Sequence, residues 1–160
     1  MHPALRTATA FVLAIIAALI AVTLRARGWT VVPDLALLPV LALALSRGSI
    51  AGALLGLASG WVVDLVPHGG QPLGATALLN AVAGAIAGGG TRLGPLPTRW
   101  IALMSLAAAS IPAAGRLLQG LWLGHQVDPT SAGLEVAATL VVAVIVVPPL
   151  VRIDKEDEHW

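Results

Sequence analysis

Six apolar stretches follow one another through only 160 residues, separated by short polar or Pro/Gly-rich breaks: Ala8 to Leu24, Leu35 to Leu45, Ile50 to Val66, Leu73 to Ala87, Trp100 to Gln119 and Leu134 to Val151. A chain divided in this way has little polar surface with which to face water. Composition agrees, with 58% hydrophobic residues and 11% charged against about 25% charged in an ordinary globular domain. Its natural solvent is a bilayer. The expected fold class is therefore all-α, an integral membrane bundle of about six transmembrane helices, because helices satisfy their own backbone in lipid. Residues 1–151 are expected to form this one domain, and residues 152–160 a short acidic cytoplasmic tail.

Arg6 followed by the first apolar run has the charge order of a signal peptide. The run nevertheless approaches the roughly 20 residues that cross a hydrocarbon core, and no small-residue cleavage site follows it, so a first membrane helix is expected. The second stretch is too short to cross about 30 Å unless flanking residues join it, and Pro39 lies within it. That stretch is expected to be kinked, tilted or partly re-entrant, and to lie inside the bundle where irregular backbone finds partners.

Orientation follows from the basic residues. With the N-terminus in the cytoplasm, the cytoplasmic segments hold Arg6, Arg47, Arg92, Arg99, Arg152 and Lys155, while the outer loops hold Arg25 and Arg27. Both termini are thus expected to be cytoplasmic. Trp29, Trp61, Trp100, Trp122 and Trp160 mostly fall near the ends of the stretches, as interfacial anchors do.

The third stretch carries Gly52, Gly56 and Gly60 at four-residue spacing, with Asp64 next on the same helical face. Small residues so spaced let two helices meet backbone to backbone, either inside this fold or against a partner. Gly84 and Gly88 repeat the spacing in the fourth stretch. Charged groups within spans are costly, and their depth is informative. Asp34, Asp64, Arg116 and Glu135 all fall toward the outer side, with Asn80 about 10 Å below at about 1.5 Å per residue. Arg116 needs a carboxylate partner at that depth, and Asp64 is the expected one. The layer reads as internal salt bridges and solvated loop ends, as a partner-docking surface, or as a ligand or ion cavity.

Several chemistries find no support. The absence of Cys removes disulfides, Cys-ligated zinc, iron–sulfur clusters and thiol nucleophiles, and a net charge of +1 argues against nucleic acid. His68 and His125 share the outer layer with Asp128, but their separations match no metal motif with a mechanism. Neither a G-x-S-x-G turn nor a Walker loop occurs, and Gly88, Gly89 and Gly90 before Thr91 read as a helix end. No catalytic, cofactor-binding or metal residue is expected.

Pro33, Asp34 and Leu35, the apolar span ending Leu45, Ser46, Arg47 and Gly48, the glycines Gly52, Gly56 and Gly60, Asp64 and Leu65, and the loop Pro72, Leu73 and Gly74 together resemble the rod-shape-determining protein MreD family. Chain length and the six apolar stretches match that family over essentially the whole sequence. The resemblance implies a non-enzymatic scaffold of the bacterial plasma membrane, part of the elongasome that controls cell shape and peptidoglycan synthesis. It implies binding to MreC, a bitopic membrane protein, and through it to the MreB filament, RodA and a class B penicillin-binding protein. It also implies the six-helix fold shared with the S-components of energy-coupling-factor vitamin transporters. A substrate-binding subunit of that kind is the rival reading, although five Trp, one Phe and no Tyr offer thin lining for a pocket. The sequence allows a homodimer as well.

Overall fold

The computed structural model describes residues 3–28, 32–65, 73–91, 97–124 and 128–156. They form an all-α bundle of six helices: α1 (Pro3–Ala26), α2 (Leu37–Arg47), α3 (Ser49–Asp64), α4 (Ala75–Gly89), α5 (Thr98–Trp122) and α6 (Pro129–Glu156). Two stretches, Thr98–Trp122 and Pro129–Val151, are long and apolar enough to cross a membrane, whereas the apolar helices α2, α3 and α4 are shorter.

α2 is the centre of the bundle and packs against all five other helices. Its residues Leu37 to Leu41 and Leu43 to Leu45 are buried, as a helix apolar on every side must be. At 11 residues it is about 16 Å long and does not span the core of a bilayer. The second stretch therefore lies inside the bundle, as its length demands. Pro39 does not kink it, because Pro39 occupies the first turn, where a backbone N–H has no intrahelical acceptor to lose.

Gly48 alone separates α2 from α3. Its φ of 93° and ψ of −176° lie in a region that residues with a Cβ rarely enter, and its N–H closes α2 on the Ala44 carbonyl at 2.8 Å. The same residue's carbonyl opens α3 by accepting from Gly52 N–H at 3.1 Å. A helix end, a corner and a helix start are thereby compressed into one residue.

α3 and α4 form the closest pair. Gly52 lies against the backbone of Gly84, Gly56 against that of Asn80, and Gly60 against that of Ala77, while Gly88 meets Ser49 at the corner. Each four-residue step up α3 is matched by a step of three or four down α4, which is antiparallel packing without intervening side chains. The glycine stripe thus packs within the molecule, and α4 is what it faces.

α1 lies on α2 and α3 through a narrow row of Ala14, Ala18 and Ala21, with Ala14 among Val40, Leu43 and Leu55. α6 lies on α2 and α5 through Thr139, Ala143, Val147 and Val151. Its start is capped by Asp128, whose carboxylate accepts from Thr130 N–H at 3.0 Å, with Pro129 at the first helical position. α6 runs on through Glu156, so the first residues assigned to the tail continue the helix.

Candidate functional site

Three elements meet at the end of the bundle where α5 finishes and α6 begins: α5, α6 and the segment before α2. Arg116, on α5, directs Nη2 to Glu135 Oε2 of α6 at 3.0 Å and Nη1 toward Asp34 Oδ2 at 3.8 Å. The three side chains are 26%, 21% and 13% exposed respectively, so the guanidinium is held between two carboxylates at the edge of the interior. An arginine so placed would be costly without such partners.

The segment before α2 is tied into this cluster by its backbone. Asp34 N–H donates to Thr139 Oγ1 at 2.9 Å, and the Thr139 hydroxyl donates in turn to the Glu135 carbonyl at 2.7 Å. Thr139 therefore acts as a relay between the α2 approach and α6. Sequence reasoning passed over it. The available signal was a hydroxyl four residues after Glu135, where Thr reaches the preceding turn of its own helix.

Asp64 takes a different role from the expected one. Its Oδ2 accepts from Gly74 N–H at 3.0 Å and Ala77 N–H at 3.2 Å, so it caps α4 from the end of α3. The pairing of Arg116 with Asp64 is thus corrected: Arg116 goes to Glu135 and Asp34. The physical reason lies in the glycine packing, which brings the end of α3 beside the start of α4. There the first N–H groups lack acceptors and Gly74, at φ 91°, has no side chain to supply one.

Asn80 is fully buried on α4, and neither its side-chain nitrogen nor its oxygen has a hydrogen-bond partner. The Ser105 hydroxyl on α5 is buried in the same condition. Asn80 thus belongs to the interior, and no hydrogen bond ties its side chain to the charged cluster.

The remaining expected positions divide by place. Pro33 accepts from Leu35 N–H at 2.8 Å in a tight turn ahead of α2, and Arg47 and Gly48 end that helix. Gly52, Gly56 and Gly60 are buried in the α3–α4 interface. Trp100 Nε1 donates to the Gly90 carbonyl at 2.8 Å and joins the start of α5 to the end of α4. His68, His125, Pro72, Trp29 and Trp160 lie outside the described residues. Among the described residues no three of His, Asp and Glu gather closely enough to hold a metal ion.

What this arrangement does chemically is hold backbone. Two carboxylates and one guanidinium fix the entry to α2 against α5 and α6, and a third carboxylate fixes α4 to α3. Compared with protein-family models, with curated proteins and with solved structures, the chain has no match.

Proposed function

We propose that the chain is a non-enzymatic scaffold of the MreD type in the bacterial plasma membrane, crossing it several times with both termini in the cytoplasm. In this reading it binds an MreC-like bitopic protein and through it supports an MreB-like filament, RodA and a class B penicillin-binding protein. One observation carries the reading: the positions that resemble MreD are the joints of the α2–α3–α4 unit. Asp34 anchors its entry through Arg116, Gly48 turns its corner, Gly52, Gly56 and Gly60 close its helix pair, and Asp64 caps its last helix. A motif whose residues build a frame and carry no reaction suits a scaffold.

The outer helices support the same reading. They run α1, α3, α4, α5, α6 around α2, and among the described residues α1 and α6 make no extensive contact with each other. In this reading the membrane helix of the MreC-like partner seats at that seam.

The rival is a small-molecule-binding subunit of the S-component kind. What favours it is the unpartnered amide of Asn80, since a buried polar group without a partner is the sort of group a ligand satisfies. One experiment separates the two readings. The tagged protein is expressed in its native host, purified in mild detergent, and its companions are identified by mass spectrometry. Stoichiometric recovery of a single-span protein with an external coiled coil supports the scaffold. Recovery of two ATPase subunits with a membrane coupling protein overturns it.

A further inference from the structure

The six helices differ in height. α1, α5 and α6 contain 24, 25 and 28 residues, about 36, 38 and 42 Å, whereas α3 and α4 contain 16 and 15, about 24 and 22 Å. The hydrocarbon core of a typical bilayer is about 30 Å thick. The short pair falls below that thickness even without tilt.

Nor can the pair lengthen or slide. At one end Asp64 bonds the end of α3 to the start of α4, and at the other Gly48 turns directly into α2 while Gly88 abuts Ser49. Between the two ends, the contacts of Gly52 with Gly84 and Gly56 with Asn80 fix the register backbone on backbone. The limits of the pair are polar as well, with Asp64 on one side and Ser46, Arg47 and Ser49 on the other.

This locked pair presents apolar side chains outward. Ile50, Leu54 and Trp61 form one exposed stripe along α3 that Leu65 continues past its end, and Leu78 and Ile86 are exposed on α4. From Ile50 to Leu65 the stripe is about 22 Å tall. We infer that the α3–α4 face seats against a locally thinned bilayer and selects phospholipids with short acyl chains, while the α5–α6 side matches chains of ordinary length. The inference rests on the membrane-embedded reading proposed above. Its physical basis is that a rigid apolar surface shorter than the surrounding hydrocarbon draws the lipid surface inward, and shorter chains meet it with less compression.

The test uses tryptophan quenching by phosphatidylcholines dibrominated in their chains, one lipid of myristoyl length and one of eicosanoyl length. Leu54→Trp places a probe midway along the short face, and Leu106→Trp places one on the exposed side of α5, both in a Trp61→Phe background that is itself measured and subtracted. Leu103→Trp serves as the second comparator should Leu106→Trp misfold, and native Trp61, read as parent minus Trp61→Phe, needs no new residue on the short face. Expected is a preference of at least about twofold for the short-chain lipid at positions 54 and 61, and no such preference on α5. Equal quenching by both lipids on both faces, or a long-chain preference at positions 54 and 61, overturns the thinning while leaving insertion intact. Absence of quenching at every position overturns the membrane-embedded reading, and the inference with it.

Discussion

Replacing Gly56 by alanine tests the backbone-to-backbone approach of α3 and α4. A Cβ built on Gly56 lies 2.6 Å from the carbonyl carbon of Asn80, well inside the roughly 3.5–4.0 Å at which carbon atoms rest against one another. The obstacle is helical backbone, which cannot swing aside as a side chain does, so α3 and α4 must separate by about 1 Å. Separation also opens the neighbouring contacts of Gly52 with Gly84 and Gly60 with Ala77. Overpacking of a tight site costs about 1–3 kcal/mol, and the rigidity of this one points to the upper end. Alanine recovers about 1 kcal/mol of helix propensity, leaving a net loss of about 2 kcal/mol. Gly133 supplies the control, because it lies in α6 with nothing within 4 Å of a built Cβ. There the same substitution keeps the propensity gain of up to about 1 kcal/mol, so the two variants should differ by about 3 kcal/mol in opposite directions from the parent. SDS titration in mixed micelles, followed by circular dichroism, measures both. A Gly56→Ala protein as stable as its parent would mean that the helices do not meet backbone to backbone.

Three further outcomes follow from the polar groups. Asp64→Ala removes the acceptor for two N–H groups of α4 and should lower stability by about 1–2 kcal/mol in the same titration, with Asp64→Asn milder because an amide oxygen still accepts; equal losses from both variants would contradict the capping role. In a double-mutant cycle, Arg116→Met with Glu135→Gln should show coupling of about 0.5–3 kcal/mol, whereas Arg116→Met with Asp64→Asn should be additive within about 0.5 kcal/mol, and the reverse pattern would restore the expected Asp64 pairing. Asp128, exposed at the start of α6, has its pKa lowered, first by the Thr130 hydroxyl and then by the Thr130 N–H. Since its folded pKa lies below the unfolded value, its contribution is present above the unfolded pKa, near 3.9, and is lost as pH falls through the folded one. The stability difference between the parent and Asp128→Asn should therefore shrink as pH drops below about 4, and a difference that grows in acid would refute the sign.

Much of the helical layout was legible because each apolar stretch is bounded by polar residues, Pro or Gly, and α3 and α4 begin and end within two residues of those bounds. Pro39 misled because a proline's effect depends on its place in the helix: two residues further inside it would have broken an i→i−4 bond, but the first turn has none to break. Asp64 misled for a related reason. Counting residues along a span yields an expected depth but not direction around the bundle: Asp34 and Glu135 face Arg116, whereas Asp64, expected at the same depth, faces the start of α4. The glycine spacing announced a close helix contact, yet only the register of α4 identifies which backbone it meets. Thr139 carried no charge to draw notice in an apolar run, and its place in the cluster depends on residues more than a hundred positions away.

The direction in which each residue faces bears on how variants of this chain should be read. Loss of function on replacing Gly52, Gly56, Gly60 or Asp64 would not locate a partner-binding surface, because each of these residues faces the molecule's own backbone. Such variants act by loosening α3 from α4, and a partner would be lost only as a consequence. Residues able to touch a partner or lipid directly include Val12, Ile16 and Ile20 on α1, and Val141 and Ile145 on α6, all exposed. Substitutions there leave the buried rows of Ala14, Ala18 and Ala21, and of Ala143 and Val147, in place. A variant at Ile16 or Val141 that abolishes partner recovery while keeping the parent's SDS midpoint would therefore report on binding, which no substitution at the glycine positions can do by itself.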